Sequence, residues 1–255
     1  MIIDVNTFCG HWPFRKIPNE DINGITQNAK KYGIDSMIIS SFNSIFYQDP
    51  EEGDEELSQL IPEGSFLAAT VNPAMDWFDK DVESAVKNKK VKAIRIHPEF
   101  HKYRLTDKCI TKLFDILYEH KLPLMITYLM EDPRAFHWAP QNDVPVHDIL
   151  AMINKNKKIP VIINNLSNGF WASCEGVVKE YGNLHFDTSG IKFGITDVIE
   201  KAVNNSKIPV ENILFGSQYP MFSREAAVNL FTMDPMPENI KNKILFENAK
   251  RIFNI

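Results

Sequence analysis

Short apolar runs rich in β-branched residues alternate with longer amphipathic runs along the whole chain, and this alternation constrains the fold more than any other feature. The apolar runs are nearly continuous, which is typical of parallel strands that helices cover on both faces. The predicted strands are residues 1–5, 36–40, 66–71, 93–96, 123–126, 160–163, 184–187 and 213–215. Because a helical pattern follows each of them, the sequence predicts an α/β fold of the (β/α)8 TIM barrel type.

A doubly wound open sheet is the structural alternative for the same alternation. The length of 255 residues fits one α/β barrel of about 250 residues, or two smaller domains. A (β/α)8 barrel has eight strands, each followed by a helix, as this sequence does. Neither a linker nor a low-complexity segment interrupts the pattern. We therefore predict a single barrel domain over residues 1–255.

Charge and cysteine content restrict the partners and the cellular setting. The formal net charge is −5 and the basic residues are interspersed with acids, so we expect binding neither to nucleic acid nor to a membrane surface. No apolar run reaches the length of about 18 residues that a membrane span needs, and we expect no secretory signal. Three cysteines stand far apart, at Cys9, Cys109 and Cys174, which argues against a disulfide framework and favours a cytoplasmic protein.

Three long irregular segments follow predicted strands 1, 4 and 5. They cover residues 9–20, 98–105 and 129–146. In a (β/α)8 barrel these segments lie at the carboxyl-terminal face, where the active sites of such barrels are found. Loops of this length beside that face are usually functional. We therefore predict the functional site at this end of the barrel.

Six short segments at strand ends and at the carboxyl terminus carry a family resemblance. They are DVNTF (4–8), LPLMIT (122–127), IPVIINNL (159–166), NLHFDTSG (183–190), LFGSQYP (214–220) and ENAKRIF (247–253). Together they resemble the amidohydrolase superfamily, and the amidohydrolase-related family in particular. The resemblance implies a metal-dependent hydrolase-like TIM barrel, and it extends over nearly the whole chain.

The same resemblance implies a metal centre whose usual ligands are replaced here. Family members carry histidines or an aspartate at five positions that this chain fills with Asn6, Phe8, Thr127, Asn165 and Gln218. Phenylalanine cannot bind a metal, and neutral amides are weak ligands for zinc. The amide of Gln218 also cannot act as the base that the family's aspartate provides. We therefore predict no metal and no cofactor; a zinc site built from His97, His101 and His185 is the minor alternative.

Two side chains remain as candidate catalytic groups. His97 ends predicted strand 4, and an unperturbed histidine titrates near neutral pH, as a general base requires. Asp187 ends predicted strand 7 and is the candidate catalytic carboxylate. Arg95 precedes His97 by two residues, so that both side chains point the same way, and its guanidinium suits a substrate carboxylate. Cys9 beside a histidine is a weaker candidate nucleophile.

The predicted substrate-binding residues surround these groups. They are Asn6, Arg15, Arg95, Thr127, Asn165 and Gln218. The amides would recognise a substrate by directional hydrogen bonds. Arg15 belongs to the segment GHWPFR (10–15), whose aromatic residues and single strong cation could wall a pocket for a planar or acidic ligand.

Two functions are consistent with these residues. The first is a hydrolase or decarboxylase that acts on a small organic acid, ester or lactone without the family's metal. The second is a catalytically inactive barrel that binds a small ligand or a partner. A cavity at the mouth lined by Arg95, His97, Asn6 and Gln218 would favour catalysis or ligand binding. A mouth plugged by Phe8 and Trp12 would favour the inactive barrel. The expected partner is a small molecule, such as a carboxylic acid, and the resemblance also implies a homodimer.

Overall fold

A computed structural model of the chain describes residues 1–132, 144–156, 159–191 and 197–255. Eight parallel strands form one sheet in which the spatial order follows the sequence order. The strands are β1 (Ile3–Cys9), β2 (Ser36–Ser41), β3 (Phe66–Thr70), β4 (Val91–Ile96), β5 (Leu124–Thr127), β6 (Val161–Asn164), β7 (Leu184–Asp187) and β8 (Ile213–Leu214). Each lies where the sequence predicted a strand, within a few residues.

Helices follow every strand and form the outer layer. They are α1 (Ile22–Lys31), α2 (Asn43–Phe46), α3 (Pro50–Leu60), α4 (Phe78–Ala85), α5 (Pro98–His101), α6 (Lys108–His120), α7 (Val146–Lys155), α8 (Asn168–Trp171), α9 (Glu175–Tyr181), α10 (Val198–Ser206), α11 (Arg224–Met233), α12 (Glu238–Asn242) and α13 (Asn248–Phe253). A π-helical segment, Lys243–Glu247, joins the last two. Among the helices of the described residues, none is both long and apolar enough to cross a membrane.

Hydrogen bonds between β1 and the segment that follows β8 close the sheet. The backbone N–H of Val5 donates to the carbonyl of Phe215 at 2.9 Å, and that of Phe8 donates to Tyr219 at 2.8 Å. Thr7 also pairs with Tyr219 in a parallel bridge. A doubly wound sheet has two free edges, so this closure establishes the (β/α)8 barrel that the sequence predicted. That residues 1–255 form a single domain stays a prediction.

A β-bulge in β1 directs its side chains to two different places. The pairing register with β2 shifts between Asp4 and Thr7. As a result, Asp4 and Thr7 both face Arg224 in the helical layer, whereas Asn6 and Phe8 face the barrel axis. Bulges of this kind often turn a side chain toward a functional site.

The barrel interior consists of a lower apolar layer, a polar layer and an aromatic cap. The lower apolar layer includes Ile3, Val5, Ile38, Ala68, Ala93, Met125, Ile162 and Leu214, and Ile252 and Phe253 of α13 pack against it. Above it lies the polar layer, which we define as Asn6, Ser40, Arg95, Thr127, Asn164 and Asp187, all buried. The aromatic cap comprises Phe8, Trp12, Ile17, Phe42, Ile45, Met130 and Met221 at the carboxyl-terminal end. The polar layer is therefore enclosed between two apolar ones.

Candidate functional site

Asp187, at the end of β7, is the hub of the polar layer. Its Oδ2 accepts hydrogen bonds from the side-chain amides of Asn6 at 2.7 Å and Asn164 at 2.9 Å. Its Oδ1 accepts from the backbone N–H of Asn165 at 2.9 Å, and from the backbone N–H and hydroxyl of Ser189 at 3.2 and 2.6 Å. One carboxylate therefore ties the ends of β1, β6 and β7 together, and both of its oxygens are fully used.

The guanidinium of Arg95 occupies the other half of the polar layer. It donates to Asn6 Oδ1 at 2.9 Å and to Thr127 Oγ1 at 3.0 Å, with a longer contact to Ser40 Oγ at 3.4 Å. Its Cζ lies 4.1 Å from the ring centroid of Phe8, which is the geometry of a cation–π interaction. Arg95 is completely buried, so these contacts replace its hydration.

The electrostatics of the site leave Arg95 charged and His97 neutral at pH 7. Burial lowers the pKa of Arg95 to about 9, and the nearby charge of Asp187 opposes this shift. Burial also lowers the pKa of His97 well below its ordinary value, and the charges of Arg95 and His101 lower it further. His97 is therefore a neutral imidazole at pH 7, and its pKa lies below the near-neutral range expected from the sequence.

His97 follows β4 and is completely buried beside the cap. Its ring centroid lies 6.2 Å from that of Phe8 and 6.0 Å from that of His101. Among the described residues, neither of its ring nitrogens has a hydrogen-bond partner. A buried imidazole whose two nitrogens are both unpaired is costly in a merely structural role, because each such polar atom costs about 1–3 kcal/mol.

Asn165 and Gln218 lie just beyond β6 and β8, both with backbone in the left-handed region, at φ 63° and 55°. Both side-chain NH2 groups donate to the carbonyl of Leu129, and that of Gln218 also donates to Met130 at 2.9 Å. Because backbone carbonyls accept hydrogen bonds from the side-chain nitrogens of Asn165 and Gln218, the amide oxygens of both residues remain available as acceptors. Those oxygens, and that of Asn164, are buried without a partner in the described part of the chain.

The aromatic cap covers this layer and engages Arg15. Phe8 stacks on Phe42 with ring centroids 4.7 Å apart and planes 2° from parallel. The indole N–H of Trp12 donates to Glu131 Oε1 at 2.8 Å, and Nε of Arg15 donates to the same oxygen at 2.9 Å. Arg15 is about one-third exposed and its guanidinium is directed at Glu131 rather than into the polar layer. Its role in substrate binding stays a prediction.

The barrel mouth does not fit the metal that the resemblance implies. The guanidinium of Arg95 contacts three of the five family ligand positions, namely Asn6, Phe8 and Thr127. The side chains there offer neutral oxygens or none, and the carboxylate of Asp187 is saturated by hydrogen-bond donors. A transition metal favours imidazole, thiolate or carboxylate ligands and would lie beside a buried cation.

The alternative zinc site from three histidines does not form. His97 and His101 are neighbours, but His185 contacts Asn212, and these three side chains are not among the groups of described residues close enough to share a metal ion. Within the residues that the structure describes, the group of acidic, histidine or cysteine side chains close enough to hold a metal is instead acidic. It consists of Asp49, Glu51 and Asp81, and lies outside the polar layer.

Fold and site together define a (β/α)8 barrel with a polar mouth at the carboxyl ends of its strands, the architecture of the amidohydrolase superfamily. The amidohydrolase family model matches residues 55–255, so the chain belongs to the amidohydrolase family. This confirms the resemblance predicted from the sequence. A comparison with curated proteins finds none that matches this chain.

Solved structures share the whole architecture. 5-Carboxyvanillate decarboxylase from Sphingomonas paucimobilis has a TM-score of 0.72 at 13% identity, and the alignment covers 100% of this chain and 99% of that one. 2,6-Dihydroxybenzoate decarboxylase from Rhizobium has a TM-score of 0.74 at 14% identity, covering 99% and 98%. Dihydroxybenzoic acid decarboxylase from Polaromonas sp. JS666, with bound manganese and the inhibitor 2-nitroresorcinol, has a TM-score of 0.75 at 13% identity, covering 99% and 96%. At these identities the likeness establishes the shared fold.

The sequence-predicted site residues converge in part. Asn6, Arg95, Thr127 and Asp187 form one hydrogen-bonded layer, and Asn165, Gln218 and His97 surround it. Sequence reasoning missed four further members of the site, namely Ser40, Asn164, Ser189 and Glu131. Two of them were detectable, because Asn164 ends β6 and Ser40 is one residue from the end of β2, where parallel strands deliver side chains to the mouth.

Cys9 is expected to be chemically inert. Burial is the main cause that raises the pKa of its thiol to about 12, so only about one molecule in ten thousand is a thiolate at pH 8. Mass spectrometry after iodoacetamide treatment at pH 8 should show Cys109, which is partly exposed, modified well before Cys9. In urea both should react at similar rates. Equal rates in the folded protein would instead support the nucleophile considered from the sequence.

Proposed function

We propose that this protein is an enzyme that decarboxylates a small hydroxylated aromatic carboxylic acid, or hydrolyses an ester or lactone of such an acid, without a metal at the barrel mouth. The observation that carries the proposal is a set of buried polar atoms without partners among the described residues. They are the two ring nitrogens of His97 and the amide oxygens of Asn164, Asn165 and Gln218. Left empty, such a set would cost about 1–3 kcal/mol per atom, so a polar ligand explains it better than a sealed core.

The chemistry of the unpaired atoms specifies the ligand class. Three amide oxygens are acceptors and therefore require donors, which hydroxyl groups provide. Arg95 carries five N–H groups and uses three of them on Asn6, Ser40 and Thr127, which leaves donors for a carboxylate. The aromatic rings of the cap suit a planar ligand. The names of the decarboxylases with the same fold describe acids of this class, which supports the choice.

His97 supplies the proton transfer in this proposal. The negative charge of the bound carboxylate opposes the lowering of the His97 pKa. The neutral imidazole then takes the proton of the substrate hydroxyl and returns it to the ring carbon when the C–C bond to the carboxylate breaks. The electron pair of that bond remains on the ring carbon, CO2 leaves, and water reprotonates the hydroxyl oxygen. Arg95 stabilises the negative charge that spreads over the ring. Asp187, the candidate catalytic carboxylate, acts as a positioning residue in this scheme because its oxygens already hold Asn6, Asn164 and Ser189.

A matched pair of histidine variants tests the proposal. With 2,6-dihydroxybenzoate as the probe, calorimetry should detect binding, and chromatography should detect resorcinol in the presence of EDTA. His97→Gln should lower turnover by about 10²- to 10⁴-fold, the usual contribution of a general acid–base group. His120→Gln should leave it unchanged, because His120 lies on α6 and pairs with Glu83. A turnover that requires added Mn²⁺ would overturn the metal-free mechanism, and absence of binding would overturn the ligand class.

The packing of the cap favours a second candidate, a catalytically inactive barrel that binds the same kind of ligand. Phe8, Phe42 and Trp12 are completely buried and stacked over the polar layer, which restricts access from the mouth. This candidate predicts calorimetric binding of the acid with no product formed by either the wild type or His120→Gln. The two candidates therefore differ in turnover and agree in binding.

Three further expectations stay predictions. Related structures include a manganese-bound enzyme, so the expectation that this chain uses no cofactor rests on the donor chemistry at the mouth alone. The cytoplasmic location and the homodimer are likewise predictions. Light scattering at micromolar concentration measures the oligomeric state directly.

A further inference from the structure

Three carboxylates converge on the outside of the barrel, away from the polar layer. Asp49 immediately precedes α3, Glu51 lies in the first turn of α3, and Asp81 lies in the first turn of α4. Each offers an oxygen, and these oxygens all lie within 4.8 Å of one another. Two ligands on opposite sides of a Ca²⁺ ion are about 4.6–5.2 Å apart, because each Ca–O distance is about 2.3–2.6 Å. The cluster is therefore compact enough for its three oxygens to share one cation.

Two members of this acidic cluster have local structural roles. Asp49 caps α3 by accepting from the backbone N–H of Glu51 at 3.1 Å. Glu51 accepts a short hydrogen bond from the hydroxyl of Ser84 in α4. These contacts orient the carboxylates of Asp49 and Glu51 and use one oxygen of each. They explain the positions of these two residues, but they do not involve Asp81.

No comparable hydrogen bond explains the position of the Asp81 carboxylate. Its side chain is more than nine-tenths buried, and its Oδ2 has no hydrogen-bond partner among the residues described. Burial and then the charges of Asp49 and Glu51 raise the pKa of Asp81 to about 6. In the described part of the chain, none of the three carboxylates forms an ion pair with a lysine or arginine. A buried carboxylate facing two others is costly unless a cation compensates it.

The cluster is also open to an ion from solvent. Glu51 and Asp81 line a cleft of about 290 Å³ between α3 and α4, together with Glu55 and Ser84. The cleft has room for the water ligands that complete the coordination of a hard cation. Access, oxygen donors and an unpaired buried carboxylate thus occur at one place.

We infer that Asp49, Glu51 and Asp81 bind a hard divalent cation, with Ca²⁺ the best match, and that this ion links α3 to α4. Oxygen-only ligands select Ca²⁺, Mg²⁺ or Mn²⁺ over zinc and copper. The site is independent of the mouth and of the proposed function. It ties the first turns of two helices whose carboxylates otherwise repel each other.

Calorimetry on chelator-treated wild-type protein tests the site with CaCl2, and with MgCl2 and MnCl2 as separate arms. We expect one Ca²⁺ per chain and a thermal midpoint several degrees higher at saturating Ca²⁺ than in EDTA. Asp81→Asn should lower Ca²⁺ affinity at least about tenfold, because ligand charge sets the affinity of such sites. In EDTA the same variant should melt at or above the wild-type midpoint, because the buried repulsion is gone.

Glu55→Gln is the matched control, since Glu55 lines the same cleft but lies outside the cluster. It should bind Ca²⁺ like the wild type. Glu51→Gln is a second test if Asp81→Asn fails to fold, and it should also weaken binding. Absence of binding to wild-type protein at millimolar Ca²⁺ would overturn the inference, as would equal affinities of the wild type and Glu51→Gln. Neither result bears on turnover of an aromatic acid, so the two proposals fail independently.

Discussion

Asp187→Asn is expected to lower the free energy of unfolding by about 3–5 kcal/mol, the usual loss when one member of a buried charge pair is removed. The substitution removes the negative charge of Asp187, which partly compensates the buried guanidinium of Arg95. Asn6, Asn165 and Ser189 all donate hydrogen bonds to this side chain. The NH2 group of an asparagine at position 187 would therefore face hydrogen-bond donors instead of acceptors. Urea denaturation at pH 7, followed by circular dichroism, measures the difference.

The control for Asp187→Asn is the same exchange at Asp115, which is exposed on α6. Asp115→Asn should change stability by less than about 0.5 kcal/mol. Coupling is tested by combining Asp187→Asn with Arg95→Met. The double variant should lose less unfolding free energy than the sum of the two single losses, by about 1 kcal/mol or more. Each single variant leaves the other charge buried without its compensating charge. A loss below about 1 kcal/mol for Asp187→Asn would mean that the hub carries little of the stability.

Arg224→Met is the second substitution with a large expected effect, again about 3–5 kcal/mol of unfolding free energy. Arg224 begins α11, is completely buried, and donates to Asp4 at 3.1 Å and to Thr7 at 3.0 Å. It also donates to the carbonyl of Ile25 and the side chain of Asn28 in α1. Its loss leaves the Asp4 carboxylate buried without a counter-charge and disconnects two helices from β1.

Lys112→Met is the matched control for Arg224→Met, because it removes the same charge from an exposed pair. Lys112 and Asp79 lie 2.8 Å apart with exposed side chains, so this loss should be much smaller than that of Arg224→Met. Chemical denaturation of both variants under identical conditions gives the comparison. Similar losses in the two variants would show that burial of the Asp4–Arg224 pair does not determine its contribution.

The fold was predictable because strands covered on both faces are apolar throughout. β2 to β8 lie within about two residues of their predicted bounds, since each contains buried apolar residues and β4, β6 and β8 are rich in Ile, Leu and Val. β1 is the exception: the prediction ended at Val5, but the strand continues to Cys9. Asn6 and Thr7 interrupt the apolar pattern, and the bulge that accommodates both is a tertiary feature that hydrophobicity does not encode.

The site was predictable where it consists of strand ends and unpredictable where it consists of loops. Arg95, Thr127 and Asp187 converge because parallel strands present their last residues to one rim. Arg15 and Glu131 meet across 116 positions of sequence, and no periodicity indicates such a pairing. The sequence also raised both an open mouth and a mouth plugged by Phe8 and Trp12; both of these rings are buried in the cap. Loop paths depend on packing and not on local pattern.

The position of Arg95 has a consequence for anyone who would engineer a transition-metal enzyme from this scaffold. Histidines introduced at Asn6 and Thr127 would have their nitrogen lone pairs facing a guanidinium that already lies within 3.0 Å of both positions. Ligand grafting alone would therefore assemble imidazoles around a resident positive charge, which would exclude the incoming ion. A redesign has to begin by replacing Arg95 and providing a new counter-charge for the Asp187 carboxylate. The choice of metal ligands matters only after that.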